Sequence, residues 1–90
     1  MACLKFFGRF RSYVATREVS VAAATVRQAL DQLLPGNRDL QASMMDNGTL
    51  RAYVRILVNG HDIELAQGLD TPLGPDDEVA IFSPAAGGHD

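Results

Sequence analysis

The sequence predicts an α+β fold in which a mixed sheet of about five strands packs against one main helix. Strand-like stretches occur near both ends of the chain, and one strongly amphipathic helical stretch lies between them. At 90 residues, 47% of them hydrophobic, the chain has room for one core. We therefore expect one folded domain over residues 1–83, followed by a flexible tail over residues 84–90.

The first two strands are expected within the first 21 residues. Leu4 to Phe7 begins a strand, and Arg17 to Val21 alternates polar and apolar side chains. The chain connects them through Arg11 to Thr16. This spacing predicts a hairpin.

A helix is predicted to begin at Thr25. Gln28 follows Thr25 by three residues, the spacing of a capping box, in which two side chains satisfy unpaired backbone N–H groups. The apolar residues that follow have helical spacing and form one stripe: Val26, Ala29, Leu30, Leu33 and Leu34. Pro35-Gly36 ends the helix, and the residues from Asn37 to Thr49 are expected to be irregular.

The second half of the chain predicts three more strands. Apolar residues alternate from Leu50 to Val58, and Asn59-Gly60 favours a two-residue hairpin turn that returns the chain through His61 to Leu65. A turn at Gly74 to Asp77 precedes a last strand, Glu78 to Phe82. Strands at both ends allow the last to pair centrally with the first, which is the order of a β-grasp fold. The order alone also fits other small α+β arrangements.

Composition excludes several classes of function. Cys3 is the single cysteine, and no apolar run suits a signal peptide or membrane helix, so a cytoplasmic protein without membrane contact is expected. The net charge of -3 and the absence of a basic cluster argue against nucleic-acid binding. His61 and His89 are too few and too far apart for a metal site. Asp62 and Glu64 are expected to form a solvated strand edge rather than a catalytic pair.

The tail carries the chemistry that the folded part lacks. Pro84 cannot extend a sheet ladder, and Ala85, Ala86, Gly87 and Gly88 have almost no side chain, so they suit a narrow channel in another protein. Attack of a terminal Gly88 carboxylate on ATP gives an acyl-adenylate, which sulfide or persulfide converts to a thiocarboxylate. A frayed chain end is the alternative interpretation.

Four segments of the sequence resemble a known family: Leu4 to Arg11, Val58 to Ile63, Gly68 to Leu73 and, most specifically, Asp77 to Gly88. They are similar to the small subunit of molybdopterin synthase and to related ubiquitin-like sulfur carriers of the ThiS type. The stretch from Leu50 to Ile63 is also similar to carriers that feed cysteine synthesis and to archaeal ubiquitin-like modifiers.

The resemblance implies a carrier protein rather than an enzyme, with no bound cofactor. An E1-like enzyme would use ATP to adenylate Gly88, which would then carry sulfur to an accepting synthase that makes molybdopterin, cysteine or another sulfur metabolite. Most relatives end at the second glycine, whereas His89-Asp90 follows here. We therefore expect a zinc metallopeptidase of the JAMM type to cut between Gly88 and His89.

Two further expectations concern partners. Phe6 and Phe7 must point to opposite faces of a strand, and Phe7 is predicted to point outward with Phe82, forming a docking patch near Pro84; cover by a loop is the alternative. A protein modifier that joins Gly88 to lysines of other proteins is the second candidate function. Lys5 is the only lysine of this chain, so self-linked chains have one side-chain attachment point. A binding module with an inert tail is the third.

Overall fold

The computed structural model describes residues 1–83; the predictions for Pro84 to Asp90 lie outside the described residues. The described part contains two helices, seven strands and four short 3-10 helices. In chain order, the strands and helices are β1 Ala2–Phe6, β2 Glu18–Val21, α1 Val26–Leu33, α2 Arg38–Met44, β3 Met45–Asp46, β4 Thr49–Leu50, β5 Arg55–Val58, β6 His61–Asp62 and β7 Glu78–Phe82.

Five strands form one mixed sheet in the order β2-β1-β7-β5-β6. The central pair β1 and β7 is parallel, with Leu4 opposite Val79 and Phe6 opposite Ile81. The other pairs in this sheet are antiparallel. The prediction that the last strand pairs centrally with the first is confirmed, and so are the α+β class and the mixed five-stranded sheet.

The core lies between one face of this sheet and α1. Leu4, Phe6, Ile56 and Ile81 project from the central strands and are almost completely buried. The predicted stripe of α1 covers them: Val26, Ala29, Leu30 and Leu34 are buried, and Leu33 packs against the same cluster. Burial of one apolar face on each element is what holds the two layers together.

The predicted capping box begins α1. Thr25 Oγ1 accepts a hydrogen bond from the Gln28 N–H at 3.2 Å, and Gln28 Oε1 accepts one from the Ala24 N–H at 2.9 Å. Gln28 thus reaches one residue further back than the cap itself. The first bond satisfies a backbone donor of the first helical turn, and the second satisfies the N–H of the residue before the cap.

The prediction that Asn37 to Thr49 is irregular is wrong. Seven of these residues form α2, and the turn after it joins β3 to β4 in a small antiparallel hairpin. Leu40 and Met44, one helical turn apart, are fully buried, so α2 is held by packing of one apolar side against the core.

The strand expected from Leu50 is shorter than predicted. Val54, Ile56 and Val58 point inward as the alternation indicates, but Ala52 is exposed and β5 begins at Arg55. The reason is a turn in which the Val54 N–H donates to the Arg51 carbonyl at 3.0 Å. The Arg51 side chain in turn bonds to the Ala42 carbonyl of α2.

The return strand is also short. β6 contains only His61 and Asp62, and residues 63–65 form a 3-10 helix instead of continuing the strand. The Asp62 side chain accepts from the Glu64 N–H at 2.9 Å and so caps this helix. Ile63 is buried by the resulting turn.

The ends of the predicted first hairpin shift by one or two residues. β1 covers Ala2–Phe6 rather than Leu4 to Phe7, and β2 begins at Glu18. The connection between them includes a 3-10 helix over Gly8–Tyr13, whose Phe10 is fully buried. The turn predicted before β7 is confirmed, since the Asp77 carboxylate accepts from the Gly74 N–H at 2.7 Å. Within residues 1–83, no helix is long and apolar enough to cross a bilayer.

Candidate functional site

The tail continues from the central strand of the sheet. β7 lies between β1 and β5, and Arg55 of β5 is opposite Phe82, the last residue of β7. On the other side, the Phe7 N–H donates to the Ile81 carbonyl at 3.0 Å, one residue beyond the end of β1. The end of β7, after which the sequence continues into the tail, is therefore held by hydrogen-bonded neighbours on both sides.

One face of the sheet is free of α1, and we call it the outer face. Strand alternation assigns to it Cys3, Lys5, Phe7, Glu18, Arg55, Leu57, Glu78, Ala80 and Phe82. The outward direction predicted for Phe7 is confirmed, because the residue is 44% exposed whereas Phe6 is buried. Phe82 is half-buried, and the register places it beside Phe7 on the neighbouring strand.

Two groups of ion pairs include residues of the outer face. Lys5 Nζ lies 3.0 Å from Glu78 Oε1, joining β1 to β7. Arg55 Nη1 lies 3.4 Å from Asp62 Oδ2 and 3.6 Å from Glu64 Oε2. Asp62 and Glu64 therefore share a cation rather than forming only a solvated edge. These ion pairs were not predicted, because they depend on which strands are neighbours in the sheet. The sequence contains only part of the signal: strand alternation places Lys5 and Glu78 on the same face of the sheet.

Cys3 has a local partner on the outer face. Its Sγ donates to Glu18 Oε1 at 3.2 Å across the β1–β2 pair. Burial and the hydrogen bond to Glu18 raise the pKa of the Cys3 thiol, so the sulfur remains protonated and is a poor nucleophile. Within residues 1–83, no three or more His, Cys, Asp or Glu side chains form a group that could hold a metal ion.

The tail residues predicted to carry the chemistry lie outside the described residues: Pro84, Ala85, Ala86, Gly87, Gly88 and His89. The last described residue, Ser83, has a buried Oγ with no hydrogen-bond partner among residues 1–83. The described structure supplies the hydrogen-bonded end of β7 and the outer face beside it.

The sequence matches the model of the ThiS family over residues 4–88, nearly the whole chain. The chain belongs to the ThiS family. The match includes both tail glycines and ends before His89.

Two relatives of this ThiS-family chain extend the comparison. It is 31% identical to small archaeal modifier protein 3 of Haloferax volcanii over 88 residues, covering 94% of this chain and 96% of the relative. It is 36% identical over 73 residues to a protein of Archaeoglobus fulgidus that bears the name "Putative sulfur carrier protein", covering 79% of this chain and 82% of that one.

The fold of this ThiS-family chain is similar to solved structures of ubiquitin-like proteins. The solution structure of small archaeal modifier protein 1 from Methanosarcina acetivorans superposes with a TM-score of 0.87 at 26% identity, covering 94% of this chain and 93% of that one. The fold is therefore the ubiquitin-like β-grasp. The chain is a member of a family of small ubiquitin-like sulfur carriers and protein modifiers.

Proposed function

We propose that the chain carries sulfur as a thiocarboxylate on Gly88, after a JAMM-type metallopeptidase removes His89-Asp90. An E1-like enzyme transfers the adenylyl group of ATP to the exposed carboxylate, and pyrophosphate leaves. Sulfide from a sulfur donor then attacks the acyl carbon and displaces AMP. The thiocarboxylate then donates sulfur in the synthesis of molybdopterin, cysteine or another sulfur metabolite. The folded part needs no catalytic side chain for this role, because the activating enzyme and the accepting synthase supply the chemistry.

The family match that includes Gly88 and ends before His89 is the observation that carries this proposal. The position of β7 supports it as well. Because the tail continues from the central strand, the folded part presents the tail from a fixed base, which lowers the ordering cost when a partner's cleft binds it. The outer face next to that base, with Phe7 and Phe82, supplies apolar area for docking.

Mass spectrometry of the trimmed and full-length chains tests the proposal. Each chain is incubated with the activating enzyme, ATP and a sulfur donor. The chain that ends at Gly88 is expected to gain the mass difference of one oxygen replaced by sulfur, whereas the full-length chain is expected to remain unchanged until the metallopeptidase is added.

A matched pair of glycine variants separates a tail effect from a folding effect. Gly88→Leu in the trimmed chain is expected to abolish the mass gain, because a bulky side chain does not fit a narrow cleft. Gly36→Leu is the control, since nothing lies within 4 Å of a Cβ built at Gly36. Thiocarboxylate formation in the Gly88→Leu variant at the rate of the control would contradict the proposal.

A role as protein modifier is the second candidate, favoured by the 31% identity with small archaeal modifier protein 3. It uses the same activated Gly88 but transfers it to a lysine amine of another protein. Incubation with a lysate of the native host, the activating enzyme and ATP distinguishes the two roles. Covalent adducts that survive thiol reducing agents support the modifier, and a thiocarboxylate without such adducts supports the carrier.

A further inference from the structure

Lys5, the chain's single lysine, lies on the outer face, close to the strand that continues into the tail. It is opposite Ala80 of β7 in the sheet register, and its Nζ donates to Glu78 Oε1 at 3.0 Å. The Lys5 side chain is 30% exposed, so the amine remains accessible to reagents. The hydrogen bond and the charge of Glu78 raise the pKa of Lys5, and the charge of Glu18 acts in the same direction.

An amine attacks an acyl group only through its unprotonated lone pair. The contact with Glu78 stabilises the charged ammonium and orients one of its protons toward a carboxylate oxygen. A carrier with an activated terminal carboxylate has a specific need for this restraint, because any free amine within reach consumes the activated group. Lys5 is the side-chain amine that this chain itself presents.

We propose that the Glu78 carboxylate keeps the Lys5 amine from acting as an acyl acceptor. An activated Gly88 is then not lost to an amide bond with Lys5 of the same chain or of a second copy. This inference rests on the proposed activation of Gly88. In the reaction that Glu78 suppresses, the neutral Lys5 Nζ attacks the carbonyl carbon of the Gly88 acyl-adenylate. A C–N bond forms, the C–O bond to AMP breaks, AMP leaves with the electron pair, and the amine releases a proton to solvent.

The register makes Glu78 the specific partner for this task. Glu78 belongs to β7, so the strand that carries the tail also carries the carboxylate that holds Lys5. Glu18 of β2 lies opposite Lys5 on the other side but bonds to the Cys3 thiol instead. The single thiol and the single lysine of the chain are thus each held by a carboxylate of a neighbouring strand, and both are kept in the protonated, less nucleophilic form.

Acetylation with an N-hydroxysuccinimide ester measures the restraint without any activating enzyme. The rate of Lys5 acetylation is followed by peptide mass spectrometry, with the N-terminal amine of the same peptide as an internal reference. Glu78→Gln is expected to speed Lys5 acetylation about two- to fivefold near neutral pH, the range that a surface ion pair permits. Glu64→Gln is the matched control, because Glu64 contacts Arg55 rather than Lys5, and it is expected to leave the rate unchanged.

Activation of the chain that ends at Gly88 then tests whether Lys5, once Glu78 is replaced, forms an amide with Gly88. With the activating enzyme and ATP but no sulfur donor, Glu78→Gln is expected to accumulate more Gly88–Lys5 amide than the parent chain, seen as a covalent dimer or as a monomer that has lost one water. The double variant Lys5→Arg, Glu78→Gln is expected to form none.

Each result has a defined meaning. Equal acetylation rates in the parent and the Glu78→Gln variant, or an equal acceleration by Glu64→Gln, overturn the restraint. If Lys5 is acetylated faster in Glu78→Gln but no variant forms an adenylate, the proposed function is contradicted and the restraint by Glu78 is supported. Normal adenylation of Glu78→Gln without Lys5 amide, despite faster acetylation, overturns the inference that Lys5 is an acceptor for Gly88.

Discussion

At the scale of single residues, Asp77 organises the start of the strand that bears the tail. Its carboxylate accepts from the Gly74 N–H at 2.7 Å and from Asn59 Nδ2 at 2.9 Å. These two bonds lower the pKa of Asp77, the bond from Gly74 most strongly. Asn59 also bonds to the backbone of Glu78 in both directions, so the β5–β6 turn is tied to the first residue of β7.

Replacement of Asp77 by Asn is expected to destabilise the protein in a pH-dependent way. The pKa of Asp77 is depressed in the folded state, so its contribution is complete above the unfolded value of about 4 and is lost as the pH falls through the lower folded value. The difference in unfolding free energy between the parent and Asp77→Asn should therefore be largest near neutral pH and should shrink in acid. Urea unfolding from about pH 7 down to about pH 2 measures it.

Asp76→Asn is the control for that series. Asp76 is exposed, and its side chain makes no hydrogen bond within the described part of the chain. Its substitution removes the same formal charge from the same turn. A pH-dependent difference of equal size in both variants would mean that net charge, rather than the two bonds to Asp77, is responsible.

At the scale of elements, the two hairpins with two-residue turns both use Asn-Gly. Asn47 and Gly48 connect β3 to β4 with φ of 53° and 83°, and Asn59 and Gly60 connect β5 to β6 with φ of 51° and 85°. Positive φ at both central residues gives a twist that matches the flanking strands, and Asn and Gly tolerate it better than other residues. The second turn was predicted from the sequence. The first carries the same signal, but it lies within a segment that the sequence predicts to be irregular.

Gly60→Ala is expected to lower the free energy of unfolding by about 1–2 kcal/mol, because an L residue in the left-handed region is strained. Nothing lies within 4 Å of a Cβ built at Gly60, so the cost comes from the backbone alone. Gly36→Ala is the matched control, since its surroundings are equally open and its φ is not in that region; it is expected to be neutral or slightly stabilising. Equal urea midpoints for the two variants would contradict this assignment.

Helix α2 marks the limit of prediction at this scale. It has seven residues and only two buried positions, Leu40 and Met44, so periodicity gives a weak signal. Tertiary contacts support its last turn: the Tyr53 hydroxyl donates to the Ser43 carbonyl, and Arg51 Nε donates to the Ala42 carbonyl. The donors lie eight or more residues later in the chain, so no local pattern could predict them.

At the scale of the whole molecule, the order of α1 and the five strands of the main sheet was predictable, whereas α2, the β3–β4 hairpin and the strand register were not. One amphipathic helix between strand-rich ends restricts the topology enough to place β1 beside β7. The register of that pair, in which Lys5 lies opposite Ala80, is set by how the two strands pack in the folded protein. The ion pair between Lys5 and Glu78, and that between Arg55 and Asp62, could therefore be found only in the structure.

Docking by the outer face gives the last prediction. Phe7→Ser should raise the KM of the activating enzyme for this chain about tenfold, equivalent to ~1.4 kcal/mol of binding free energy. Phe7 lies beside the end of β7, where the tail begins, and is 44% exposed. Its loss therefore removes apolar contact area with a partner and little core packing. The unfolding free energy should change by no more than about 1 kcal/mol.

Leu65→Ser is the control that shows whether the effect is specific to the outer face at the end of β7, where the tail begins. Leu65 is 90% exposed and lies after β6, at the edge of the sheet beyond β5. Its loss removes at least as much exposed apolar area as the loss of Phe7, but away from the strand that carries the tail. A similar KM increase for both variants would mean that general surface hydrophobicity drives the association. An increase for Phe7→Ser alone means that the partner contacts the outer face while it binds the tail.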